Sequence, residues 1–232
     1  MSETARISTL DHEGTFSAYC ARPSSDPRAA IVVIQEIFGV NAGIRLKCDR
    51  LAADGYVALA PDLFWRLQPD VELDPDVPEQ MQQAFGLMQR FDQDVGVRDI
   101  EATIRHARGA LGVSKVGAVG YCLGGRLAYM TAARTDVDAT VGYYAVGLPD
   151  LLREKHGIAH PLMLHIAGSD HFVGSDQQQA IHEGLDGHLK VTLRDYPGLD
   201  HGFATQIGQR RNAEGAELAD SRTAAFFAEN LG

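Results

Sequence analysis

A thiol, a carboxylate and an imidazole that could share one reaction stand far apart in this 232-residue chain, and each follows a segment that reads as a β-strand. Cys122 lies in Gly120-Tyr121-Cys122-Leu123-Gly124-Gly125, behind the apolar run 116–119 and ahead of helix-forming residues 126–133. Strand, glycine turn and helix without a linker put the cysteine at the apex of a tight turn. Gly120 and Gly124 occupy the two flanking places where a strained nucleophile turn demands the absence of a side chain. The helix N-terminus behind the sulfur offers unpaired N–H groups and a positive dipole end, which favour an anion there. Read alone, the stretch also fits a glycine-rich turn that merely contains a buried cysteine.

Asp170 sits in Ala167-Gly168-Ser169-Asp170-His171, and His201 in Pro197-Gly198-Leu199-Asp200-His201-Gly202-Phe203. A cysteine nucleophile needs a base that takes its proton and later protonates the leaving group, and a carboxylate that orients the imidazole. The order nucleophile, acid, histidine is the α/β-hydrolase order. His12, His106, His182 and His188 read as surface groups, and His171 is the rival imidazole, although a residue adjacent to the acid normally points elsewhere. An oxyanion hole requires two backbone N–H groups aimed where charge develops. Leu123, next after the cysteine, supplies one, and Ile37, after the central strand, is the choice for the other. Glu36 ends an all-apolar strand; it is either a buried carboxylate shaping the loop or an electrostatic partner of the thiol.

The elements that must position these groups alternate along the chain. Residues 16–21 read as a strand ended by Arg22-Pro23-Ser24-Ser25-Asp26-Pro27, and 29–34 as a central strand apolar on both faces. A helix over 44–54 stops at Gly55, and 56–60 is the next strand. Residues 63–78, with three prolines, form an irregular excursion of the kind that covers a site. Helical patterning over 79–110 breaks near 94–96. Strands at 139–145, 161–167 and 189–196 and a closing helix over 214–230 follow. Strands alternating with helices imply a mostly parallel sheet in a three-layer α/β/α sandwich, with its crevice at the carboxyl ends of the strands. The length suits one domain spanning residues 1–232.

Apolar content of 45% and charged content of 22% are those of a soluble globular protein. A formal net charge of −10 argues against nucleic-acid or anionic-membrane partners, which are bound through clustered Lys and Arg. The N-terminal stretch shows no signal peptide, so a cytoplasmic location is the default expectation. Cys20, Cys48 and Cys122 lack C-x-x-C spacing, which fits reduced thiols, and the first two read as packing residues. No metal or other cofactor is expected, and the oligomeric expectation is a monomer or weak homo-oligomer.

The chain resembles the dienelactone hydrolases from about residue 16 to 227. The resemblance is carried by QEIFGVN from Gln35, PDLF from Pro61, VGYCLGG from Val119, VGYY from Val141, GSDHFV from Gly168 and HGFA from His201. It implies a cysteine hydrolase using Cys122, His201 and Asp170, in which Glu36 interacts with the resting thiol, and the activity of a carboxymethylenebutenolidase. Met81 and Thr205 stand where family arginines hold the substrate carboxylate, and Phe85 and Met88 stand at family aromatic positions. Together with Tyr143 and Phe203 they are expected to line the substrate pocket. The expected substrate is therefore an ester or lactone whose acyl part need not be charged. Two alternatives stay open: a true dienelactone hydrolase that recovers a cation from Arg66, Arg210 or Arg211, and a thiol-based redox or small-molecule binding protein without turnover.

Overall fold

A computed structural model describes residues 2–232. Strands β1 (Ser2–Ser8), β2 (Thr15–Ala21), β3 (Ala30–Ile34), β4 (Val57–Pro61), β5 (Val116–Tyr121), β6 (Ala139–Tyr143), β7 (Leu162–Ala167) and β8 (Val191–Tyr196) form one sheet in the order β1-β2-β4-β3-β5-β6-β7-β8. β2 is antiparallel to both β1 and β4, and every other pairing is parallel. β4 and β5 lie on opposite sides of β3, so the chain reverses its direction of travel there and opens a crevice at the strand ends.

Helices α1 (Ala42–Ala53), α2 (Pro78–Arg90), α3 (Gln93–Ala110), α4 (Leu123–Arg134), α5 (Ser175–Leu185) and α6 (Ala213–Leu231) cover both faces, as does a 3-10 segment over Leu148–Gly157. Alternation along β3 decides which residues meet which layer. Ala30, Val32 and Ile34 join the core formed with α3 and α4, while Ile31 and Val33 join the core formed with α1 and α6. The strand is buried on both faces, which is why it carries an uninterrupted apolar run. Cys20 and Cys48 are wholly buried within these cores.

Three local readings are revised. The helical stretch breaks at Phe91 and Asp92, because the Asp92 carboxylate caps α3 by accepting the N–H groups of Asp94 at 3.0 Å and Val95 at 3.1 Å. The helix behind Cys122 begins at Leu123, leaving no spacer between the thiol and its first turn. Residues 2–8 form a strand, legible only once β2 offers them an edge. The excursion is irregular, as expected, and is tied down by the Asn41 side chain donating to the Leu73 carbonyl at 3.1 Å. No helix among the described residues is long and apolar enough to cross a membrane.

Candidate active site

Cys122 leaves β5 through a left-handed backbone, φ 56° and ψ −115°, and its N–H donates to the Tyr143 carbonyl at 3.1 Å. A Cβ on Gly124 would lie 2.4 Å from the Ile34 carbonyl oxygen and 2.5 Å from that of Gln35. The first turn of α4 therefore rests directly on the end of β3, an approach only glycine allows. The same contact draws the loop 35–39 against the cysteine turn. Among the described residues the N–H groups of Ile37 and Leu123 have no acceptor. They are two free donors, one in each of the two segments that meet here.

His201 arrives from the loop after β8 and Asp170 from the loop after β7. The imidazole Nδ1 lies 2.8 Å from Asp170 Oδ2, and both side chains are almost fully enclosed. The other oxygen of Asp170 accepts the N–H groups of Phe172 at 2.8 Å and Val173 at 3.1 Å. With Nδ1 engaged by the acid, Nε2 is left buried without a well-formed hydrogen bond, and His201 shares the floor of one pocket with Cys122. Burial opposes a charge on the ring, but the Cys122 sulfur and the Asp170 carboxylate outweigh it and lift His201 to about 10. That direction is expected for an imidazole set between two acidic groups.

Glu36 is half-buried and lines the same pocket as Cys122 and His201. Burial pushes its carboxyl upward, against the pull of His201, Lys47 and Arg210. Tyr144, which the sequence did not single out, is a bulky residue at φ 36° with its ring edge-on to His201, 5.0 Å between centroids. Its buried hydroxyl lies beside Glu36. No sequence signal marks a tyrosine that must adopt a left-handed backbone, a conformation costly for an aromatic residue and one that collects at functional sites.

The pocket wall divides the expected lining residues. Met81, Phe85 and Thr205 line it with Ile37, Phe38 and Phe172. Met88, Tyr143 and Phe203 do not. Met88 lies about 10 Å further along the helix axis than Met81 and packs against the core. Tyr143 points to the opposite face of β6 from the pocket, where its hydroxyl meets Thr223 Oγ1 at 2.6 Å and Asp220 at 3.2 Å. Phe203 follows Gly202, at φ 78°, and turns inward onto Tyr144 and Tyr196.

Of the three arginines, Arg210 lines the pocket and the other two do not. Arg66 is engaged by the buried Asp99 carboxylate, and Arg211 donates to the Thr205 carbonyl at 2.7 Å. Arg210 lines the pocket and stands over the Phe172 ring, 5.7 Å from its centroid. Asp170, His171 and Asp200 bring one potential metal ligand each within 4.8 Å of one another. Asp170 already holds His201 and Asp200 already holds His171, so a cation there would compete with the imidazole for its acid.

An α/β sheet with a cysteine at a strand-to-helix turn, followed by an acid and a histidine on later strand ends, defines the α/β-hydrolase class. A dienelactone hydrolase-like promiscuous phosphotriesterase from metagenomic libraries superposes with a TM-score of 0.79 at 20% identity, covering 100% of this chain and 99% of that one. The dienelactone hydrolase family pattern matches residues 16–231, and the chain belongs to that family. A relative from Azospirillum brasilense is 45% identical over 95% of this chain and 96% of its own length. The carboxymethylenebutenolidase of Pseudomonas putida is 42% identical over 97% of this chain and 96% of its own.

Proposed function

We propose that this protein hydrolyses carboxylic ester or lactone bonds, as its carboxymethylenebutenolidase relatives are named for doing, with Cys122 as nucleophile. The observation that carries the reading is the buried His201–Asp170 pair at 2.8 Å, with the remaining ring nitrogen released toward the cysteine pocket. The Cys122 thiolate adds to the carbonyl carbon, and the Leu123 and Ile37 N–H groups hold the resulting oxyanion. Collapse expels the alkoxide, which takes the proton from His201 Nε2 and leaves a thioester on the sulfur. His201, now neutral and kept in one tautomer by Asp170, removes a proton from water as that water attacks the thioester. The second collapse returns the thiolate and imidazolium and releases the acid. From a lactone the product is one molecule, a hydroxy acid, or a keto acid where the leaving oxygen is that of an enol.

Apolar Met81, Phe85 and Phe172 support a substrate with an uncharged body. A second reading, that the substrate carries a carboxylate, is favoured by Arg210, the arginine that reaches the pocket. The fully buried Cys20 and Cys48 cannot act as solvent-accessible resolving thiols, which counts against a redox sensor. Turnover of a panel of neutral aryl esters, saturated lactones and carboxylate-bearing lactones by wild type and Cys122→Ala tests the proposal. Loss of all turnover in the variant, with a thioester trapped by mass spectrometry in the wild type, is the expected result. A fully active Cys122→Ala protein overturns it.

A further inference from the structure

The two loops that supply Asp170 and His201 are crossed. The acid of the first loop grips the histidine of the second, and the acid of the second, Asp200, grips the histidine of the first, His171. Oδ1 of Asp200 accepts three N–H groups: the His171 backbone at 3.1 Å, the His171 ring Nδ1 at 2.7 Å and the His201 backbone at 2.6 Å. Asp170 thus fixes the ring of His201, while Asp200 fixes the backbone from which that ring projects.

We propose that Asp200 and His171 are positioning residues for the hydrolytic site, an outer clasp that sets the placement of His201 and of the Phe172 wall. The proposal rests on the hydrolase reading given above. The loop needs such a restraint. Gly198 and Gly202 flank it at φ 76° and 78°, and a Cβ placed on Gly198 would meet nothing within 4 Å. Packing holds the side chains of His201 and Phe203 but leaves the Gly198 end of the loop open, so the backbone at His201 is set by its hydrogen bonds. Its backbone ties run from Ser169 to Leu199 at 2.9 Å, Leu199 to Tyr196 at 3.2 Å, Phe203 to Asp200 at 3.2 Å, Thr205 to Gly202 at 3.0 Å and Asn212 to Phe203 at 2.9 Å, and none of them involves the His201 backbone.

The clasp also reaches the substrate wall. The His171 ring lies 4.0 Å from that of Phe172, whose ring stands edge-on to His201 at 4.9 Å and carries Arg210 above it. Moving His171 therefore displaces an aromatic that touches the base on one side and borders the pocket on the other. The pair is exposed, with side-chain accessibilities of 46% for His171 and 57% for Asp200, against 4% and 1% for His201 and Asp170. In water an ion pair contributes little charge stabilisation. What remains is geometry, three donors converging on one oxygen.

The experiment compares Asp200→Ala, Asp200→Asn, His171→Ala and Cys122→Ala for hydrolysis of p-nitrophenyl acetate across pH, with kcat and KM resolved. Asp200→Ala is expected to lower kcat by about tenfold to a hundredfold, the cost of an ångström-scale misplacement of the base, with a smaller change in KM. The limb of the pH profile that reports His201 is expected to move with it. Asp200→Asn keeps an acceptor oxygen and is expected to recover most of kcat. His171→Ala retains the bond to the His201 backbone and is expected to fall between. If Asp200→Ala does not fold, the exposed His171→Ala still decides, since an unchanged kcat, KM and pH profile in that variant overturns the clasp. An Asp200→Asn protein as impaired as Asp200→Ala also overturns it, by making charge the operative property. An active Cys122→Ala protein would sink the hydrolase reading itself, a result separable from either.

Discussion

Gly120 and Gly124 are in backbone contact across the cysteine turn: a Cβ on Gly120 would stand 1.9 Å from the carbonyl oxygen of Gly124. Strand β5 and helix α4 can meet this closely only because Gly120 lacks a side chain, while the bare Cα of Gly124 serves the contact with the end of β3. Gly120→Ala forces backbone, not a flexible side chain, to move, and is expected to destabilise the protein by at least about 3 kcal/mol, the upper end of overpacking penalties. Urea unfolding of Gly120→Ala beside Gly109→Ala makes the comparison, since a Cβ at Gly109 meets no atom within 4 Å. Equal midpoints for the two variants would contradict it.

His201 and His165 predict opposite limbs of the stability profile. His201 is raised to about 10 from an ordinary 6.5, by the Cys122 sulfur and Asp170 against the effect of burial. Its contribution is fully present below about pH 6.5 and fades as pH rises toward 10. His165 is depressed to about 3, chiefly by burial among Tyr196, Thr223 and the sheet. Its contribution is present above 6.5 and is lost as pH falls toward 3. Denaturation midpoints measured from pH 3 to 10 are expected to decline on both sides. In Cys122→Ala the alkaline decline should shrink, and proton NMR of the His201 ring should place its titration below that of the wild type.

Lys47 is enclosed beneath the site with its ammonium 2.8 Å from Asp220 Oδ1, and it faces the rings of Tyr121 and Tyr143. Removing one partner strands a buried charge. Asp220→Ala is expected to cost about 3–5 kcal/mol, and the double variant Lys47→Met, Asp220→Leu much less. Calorimetric or denaturant stabilities of the two proteins check this, and a double variant as unstable as the single one would contradict it.

Arg210 separates the two substrate readings. If it holds a substrate carboxylate, Arg210→Gln raises KM for carboxylate-bearing lactones by about tenfold to a hundredfold, the worth of one charged hydrogen bond. Neutral esters should be unaffected. Steady-state kinetics on matched charged and neutral lactones give the answer, and equal effects on both would remove Arg210 from substrate recognition.

Much of this arrangement was legible in residue order. The apolar run of β3, the glycines around Cys122 and the positions of Asp170 and His201 just past strand ends are local patterns, and the structure brings those three side chains to one edge of the sheet. Tyr143, expected in the pocket, faces Thr223 and Asp220 instead, and the tyrosine that meets His201 is its neighbour Tyr144. Neighbouring strand residues point to opposite faces, but Tyr144 already lies beyond β6, at a left-handed backbone that strand alternation does not describe.

The sequence by itself determined the alternation of strands and helices, the glycine turn and the order of the three polar residues, because each depends on neighbours within a few positions. Only the tertiary structure decided that Arg210 rather than Arg66 borders the pocket, that Asp200 grips His171 while Asp170 grips His201, and that Lys47 is enclosed against Asp220. Those outcomes turn on which side chains separated by tens of residues come within hydrogen-bonding reach. The packing of α1 and α6 on one face of the sheet, and the crossing of two loops at its edge, set that reach.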